Sequence, residues 1–156
     1  ENTRLDPARR HGILLHSLLE WVNPEQPLAQ QAARLRNQLG LGEVDFAPLW
    51  DEAQALLGAV ELQRFFDPSC YLSARNELSY LNENGELRRI DRLVEFADSV
   101  WILDYKTTEA TPADYAALAA SYRPQMMDYR KAMASVFPAK EIRCALIFPG
   151  PALIEV

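Results

Sequence analysis

Asp104-Tyr105-Lys106 closes the apolar run Val100-Trp101-Ile102-Leu103, and Asp91 lies thirteen residues upstream in Arg88-Arg89-Ile90-Asp91-Arg92-Leu93-Val94. Side chains alternate along a strand with period two, so Asp104 and Lys106 project from one face. An acid on the neighbouring strand completes a cluster of two carboxylates and one ammonium. Hard oxygen ligands of this kind suit a divalent metal, and a nearby cation suits a phosphate or an attacking water. The chemistry expected of such a set is metal-dependent phosphodiester hydrolysis.

The spacing predicts how the two acids meet. Leu87 to Phe96 and Val100 to Thr107 read as strands joined at Ala97-Asp98. With a two-residue hairpin loop there, Asp91 falls opposite Asp104. Opposed residues have Cβ atoms roughly 4.5–5.5 Å apart, and like charges at that distance destabilise a sheet unless a cation compensates. A bound divalent ion is such a cation. The plainer readings are a solvated Asp91 balanced by Arg89 or Arg92, and a Lys106 that reaches to water or forms a structural ion pair. The three groups together favour the site.

These two segments, Arg88 to Val94 and Ile102 to Thr107, resemble the PD-(D/E)xK nuclease superfamily. The resemblance is nearest to the RecB-like nuclease domains of UvrD/Rep-type helicase–nucleases, the AddA type in particular. Gly12-Ile13-Leu14-Leu15-His16-Ser17-Leu18-Leu19-Glu20 is similar to that family's N-terminal histidine motif, and Gln125-Met126-Met127-Asp128-Tyr129 to its Gln-x-x-x-Tyr motif. Glu77 sits where the family often carries an acid. Arg89 departs from the pattern, since many members have glycine there.

The resemblance implies a restriction-endonuclease-like fold and a Mg²⁺- or Mn²⁺-dependent deoxyribonuclease, an exonuclease rather than an endonuclease, acting in double-strand break repair and recombination. It implies metal ligation by His16, Asp91, Asp104 and the Tyr105 backbone carbonyl, with Asp91, Asp104 and Lys106 catalytic and Lys106 holding the attacking water. Glu77, Gln125 and Tyr129 are expected to support the site, and Glu20, four residues after His16, to orient the imidazole. Implied partners are DNA, the helicase portion of the same polypeptide and a second helicase–nuclease subunit, in the cytoplasm. The alternative is an inactive nuclease-like module that binds DNA or docks on a helicase.

The elements that must position these residues follow from local signals. Asp6-Pro7 opens a helix running to about Val22, with Asp as N-cap and Pro at the first position. A second helix is expected from Leu28 to Leu39, stopping at Gly40, and a third from about Asp45 to Leu57. Val60 to Phe66 is ambiguous. Cys70 to Leu81 alternates like a strand, and Asn84-Gly85 turns the chain into the Asp91 strand. Thr111-Pro112 opens a helical stretch, broken near Pro124 and resuming to Val136, before a last strand over Glu141 to Phe148. The order predicts an α/β fold: a mixed central sheet, a three-strand meander plus one later strand, flanked by helices. Residues 1–58 would form a helical part carrying His16, and 59–156 the nuclease core of a single domain.

At 156 residues, 49% hydrophobic and 24% charged, the composition is that of one globular domain. The absence of a starting methionine suggests a piece of a longer protein. Only Cys70 and Cys144 are present, too few for a disulfide framework, and an iron–sulfur cluster, needing about four, is not expected. No apolar run is long enough to span a bilayer, so no membrane partner is expected. A net charge of −6 predicts weak DNA binding, since non-specific affinity rests on Lys and Arg neutralising phosphates. Arg89, Arg92, Arg123 and Arg130 are the candidate DNA contacts, with Lys131 beside them; a solvated charged face is the alternative for the helix residues.

Overall fold

The computed structural model describes residues 6–107 and 110–156. Helix α1 spans Pro7–Trp21, its first turn capped by the Asp6 carboxylate, which accepts from Ala8 N at 3.2 Å. A 3₁₀ turn over Leu28–Gln31 leads into α2 (Ala32–Leu39), which Gly40 ends at φ 69°. Helix α3 (Glu43–Leu57) starts two residues earlier than expected, because Glu43 and Asp45 sit favourably in its first turn. The ambiguous stretch is helical: a 3₁₀ turn (Val60–Leu62) and the single turn α4 (Gln63–Phe66).

Strand β1 (Ser73–Leu81) begins later than the alternation implied, since Asp67 caps a 3₁₀ turn over Pro68–Cys70 that removes Cys70 from the strand. Strands β2 (Leu87–Glu95) and β3 (Ser99–Tyr105) complete the meander. A 3₁₀ turn at Pro112–Asp114 leads into α5 (Tyr115–Val136), and β4 (Glu141–Phe148) and β5 (Ala152–Glu155) follow. The sheet has five strands in the order β1-β2-β3-β4-β5, with β3 and β4 parallel through the α5 crossover and every other pair antiparallel.

Two expectations are corrected. Helix α5 runs unbroken through Pro124. The carbonyl that loses its donor there is that of exposed Ala120, open to water, while Ala119, Met126, Tyr129 and Met133 are held on the sheet. The sheet also has a fifth strand, β5, which turns back after Pro149-Gly150-Pro151 and pairs Phe148 with Ala152.

Both faces of the sheet are covered. Leu15, Leu18, Leu19 and Phe65 pack on Val94, Trp101, Leu103, Tyr105 and Ile147, while α5 covers Val100, Ile102, Cys144, Leu146 and Phe148. The β2–β3 hairpin has the predicted register, pairing Arg92 with Leu103 and Glu95 with Val100, but the ladder ends there: Asp91 and Asp104, expected opposite each other, are not among its pairs, and β3 stops at Tyr105 rather than Thr107. Between β1 and β2 the ladder skips one rung: Asn76 pairs with Arg92 and Leu78 with Ile90, but Glu77 and Asp91 do not pair. Glu77 lies at φ 54°, the left-handed region that costs a non-glycine residue about 1–2 kcal/mol.

Across that gap both strands exchange faces. Asn76 donates to the carbonyls of Glu20 and Val22 at the end of α1, whereas Leu78 and Tyr80 pack on the α5 side. On β2, Val94 lies on the α1 side and Ile90, an even number of residues away, on the α5 side. Asp91 sits at the reversal.

Arg92 corrects a further expectation. It is 2% exposed, not a DNA contact. Its guanidinium donates twice to the Phe65 carbonyl, at 2.8 and 3.1 Å, and to Asn76 Oδ1 at 2.8 Å, and it lies over the Phe66 ring. It clamps α4 to β2. Arg92→Met is expected to lower stability by roughly 2–4 kcal/mol, because it strands these buried acceptors. Urea unfolding measures this, and unchanged stability with weakened DNA affinity would return Arg92 to the surface role.

Candidate functional site

The site is built where α1, β2 and the end of β3 converge. Asp91 and Asp104 are 6% and 3% exposed. Asp91 Oδ2 accepts from the Tyr105 amide at 2.9 Å and lies 3.0 Å from His16 Nε2. On its other nitrogen, His16 Nδ1 lies 2.8 Å from Glu20 Oε1. Burial disfavours the imidazolium, but hydrogen bonds to Asp91 and Glu20 outweigh it and raise the ring's pKa to about 10 in the metal-free protein. Ligation through Nε2 would therefore displace a proton.

Asp104 is the opposite case. Burial, then the neighbouring Asp91 charge, pushes its carboxyl up to about 7. Asp91 keeps a pKa below the ordinary range: burial works against its charge, but the His16 hydrogen bond prevails. Lys106 follows the last residue of β3, yet stays on the Asp104 side, its Nζ 3.5 Å from Asp104 Oδ2.

α1 reaches this position through a glycine. Thr107 Oγ1 donates to the Gly12 carbonyl at 2.6 Å, and a Cβ on Gly12 would lie 2.7 Å from the Thr107 carbonyl oxygen. Helix and strand end touch backbone to backbone, four residues before His16. The glycine was visible in the histidine motif; its reason was not.

The other expected residues are distributed as follows. Glu20, 5% exposed, accepts from Arg89 at 3.1 Å as well as meeting His16. Glu77 pairs with Arg89 at 3.5 Å. Burial and the adjacent Glu20 raise its pKa. Gln125 donates to Tyr129 Oη at 2.6 Å, and that hydroxyl donates to the Arg89 carbonyl at 2.7 Å, so the pair braces β2 beside the reversal. Arg89 keeps an exposed side chain between Glu20 and Glu77, and Arg123 is exposed. Arg130 corrects expectation: it is half-buried and donates to the Val156 carbonyl at 3.1 Å, serving the chain after β5.

One residue at the site escaped the sequence reading. Tyr122 places its ring 3.6 Å from Lys106 Nζ. The available signal was its position three residues before Gln125 and seven before Tyr129, on one helix face.

The donor set fits a divalent cation. Asp104 Oδ1 is buried with no hydrogen-bond partner among the described residues, and Asp104, expected as a ligand with His16 and Asp91, lies outside the close group that those two form with Glu20. Among the described residues His16, Glu20 and Asp91 bring ligand atoms within 4.8 Å of one another. Glu20 thus belongs to the possible ligand group as well as to the orientation of His16.

A mixed five-stranded sheet flanked by helices, with an acid near the end of its central strand, a lysine just after it and a second acid on the neighbouring strand, defines the restriction-endonuclease-like class of α/β fold. The chain belongs to the PD-(D/E)XK nuclease superfamily, whose family model matches residues 1–154. No curated protein matches it significantly. Membership points to nuclease activity of the kind that uses divalent metals. No helix of the described residues is long and apolar enough to cross a membrane.

The buried Asp104 carboxyl, beside the Asp91 charge, sets a testable pH dependence. With metal stripped by EDTA, ionising Asp104 costs nothing below its ordinary pKa of 3.8 and progressively more up to about 7. Asp104→Asn removes that cost. Relief of about 1 kcal/mol corresponds to a melting temperature higher by about 3 °C at pH 8, with the difference closing near pH 4. Thermal melts check this, and a variant melting well below the native chain at pH 8 would make Asp104 a structural group.

Proposed function

We propose that this chain is a divalent-metal-dependent deoxyribonuclease domain, with Asp91, Asp104 and Lys106 as its catalytic residues. The observation that carries the reading is Asp104: a buried carboxyl with one unpartnered oxygen, beside Asp91 on one side and Lys106 on the other. His16, Asp91, Asp104 and the Tyr105 carbonyl would hold Mg²⁺ or Mn²⁺, with Glu20 orienting His16. Such an ion supplies Lewis acidity at the scissile phosphate and lets water ionise near neutral pH.

The chain's own residues do the rest. Lys106 donates to the attacking water and to a non-bridging phosphate oxygen, placing positive charge where negative charge develops. Asp91, held by Tyr105 N–H, fixes the ligand sphere to β3. Gln125 and Tyr129 keep the β2 backbone in place beside it. Of the expected DNA contacts, Arg89, Arg123 and Lys131 keep exposed side chains to meet the DNA backbone, and nothing in this set reads base edges.

The order of motifs from Gly12 to Tyr129, with His16 bonded to Asp91 and Gln125 to Tyr129, supports a RecB-like domain of the AddA type. We read it as a single domain, 1–58 carrying His16 and 59–156 the nuclease core, and an exonuclease rather than an endonuclease. In this reading it is joined to a helicase, works with a second helicase–nuclease subunit in double-strand break repair, and is cytoplasmic. The net charge of −6 agrees with a domain whose grip on DNA is supplied by the helicase.

The test is cleavage of labelled single- and double-stranded DNA with Mg²⁺, Mn²⁺ or EDTA, beside Lys106→Ala. Metal-dependent cleavage should fall about 10²–10³-fold in the variant, the usual loss for one preorganised donor, with metal affinity unchanged. DNA binding without cleavage would indicate an inactive nuclease-like module. Turnover that survives the substitution would remove Lys106 from the chemistry.

A further inference from the structure

We infer that Tyr122 is a positioning residue that holds the Lys106 ammonium at the reaction site through the face of its ring. The inference rests on the nuclease reading above. A lysine ammonium ends four rotatable bonds, and beside two carboxylates its natural resting place is a contact ion pair. Here Nζ stops 3.5 Å from Asp104 Oδ2, longer than a close charge-assisted hydrogen bond of about 2.7–2.9 Å. It lies instead 3.6 Å from the Tyr122 ring centroid, well inside the roughly 6 Å range of a cation–π contact. The Lys106 side chain is only 14% exposed, so water screens the contact little.

A ring face attracts the ammonium without neutralising it and without supplying a competing acceptor oxygen. The remaining N–H groups stay available to a phosphate oxygen and a water. The elements on either side fix the geometry. Lys106 N donates to the Ile147 carbonyl at 2.9 Å, pinning the end of β3 to β4. Tyr122 is half-buried against the α5-side core, and on the same helix Tyr129 is hydrogen-bonded to β2. No hydrogen bond of the Tyr122 hydroxyl is found among the described residues, so the ring is the part that matters.

The experiment compares the native chain with Tyr122→Phe and Tyr122→Leu. In metal-free protein, the Lys106 ε-methylene proton resonances should be displaced upfield by the ring in the native chain and Tyr122→Phe, and return to ordinary values in Tyr122→Leu. With Mg²⁺ and DNA, Tyr122→Leu should lower kcat about tenfold at unchanged KM and metal affinity, while Tyr122→Phe restores native turnover. A merely structural tyrosine would change melting temperature without this split. Native kcat in folded Tyr122→Leu, or unshifted Lys106 resonances in the native chain, would overturn the inference. Failure of the native chain itself to cleave DNA would overturn the nuclease reading and, with it, the catalytic purpose of the contact; the resonances would still decide the contact.

Discussion

One oxygen, Asp91 Oδ2, holds the site together. It accepts the Tyr105 amide and meets the His16 ring, so a single atom joins β2, β3 and α1. From it runs a chain of alternating partners: Glu20 to His16, His16 to Asp91, Asp91 to Asp104, Asp104 to Lys106, and Lys106 to the Tyr122 ring. Each link but one joins groups that attract. The exception, between the two carboxyls, is where positive charge is wanted. The rest of the molecule follows from keeping that chain intact: α1 must press against β3, which Gly12 permits, and α5 must lie across the other face, which Ala119, Met126 and Met133 secure.

Placing three carboxylates below 10% exposure is costly for a domain of this size. Hydrophobic clusters on both sheet faces offset the cost, and the hydrogen bonds are distributed so that most charged atoms in the site have a partner. Arg92 shows the same economy away from the chemistry. Its charge is buried, but carbonyl and amide oxygens surround it and aromatic rings flank it. The acids at the site are left one partner short; the arginine is not.

Much of this was legible in the sequence wherever a local rule governs. Asp6-Pro7, Gly40 and the spacing across Ala97-Asp98 set a helix start, a helix end and a hairpin register, and each appears as read. The proximity of His16 to Asp91 and of Gln125 to Tyr129 came from motif resemblance and is present in the geometry. What failed depended on tertiary context. Pro124 leaves α5 whole because the exposed carbonyl behind it needs no protein donor. Ala152–Glu155 is too short to announce itself and becomes a strand only against β4. Arg92 reads as a basic surface residue until the sheet's faces exchange at Glu77 and Asp91, which no period-two pattern anticipates. Tyr122 was hidden for a similar reason, since its partner lies just after β3 and not along the helix.

The reversal at Glu77 also bears on how this molecule avoids its own kind. β1 is an edge strand of nine residues, long enough to recruit a strand from another copy. A left-handed residue at its centre divides that edge into two runs of four whose side chains face opposite ways. An incoming strand could pair with one run but would be misfaced for the next. The opposite edge, β5, has only four residues. The reversal that places Asp91 beside His16 thus doubles as protection against edge-to-edge aggregation, and smoothing it would expose a continuous template.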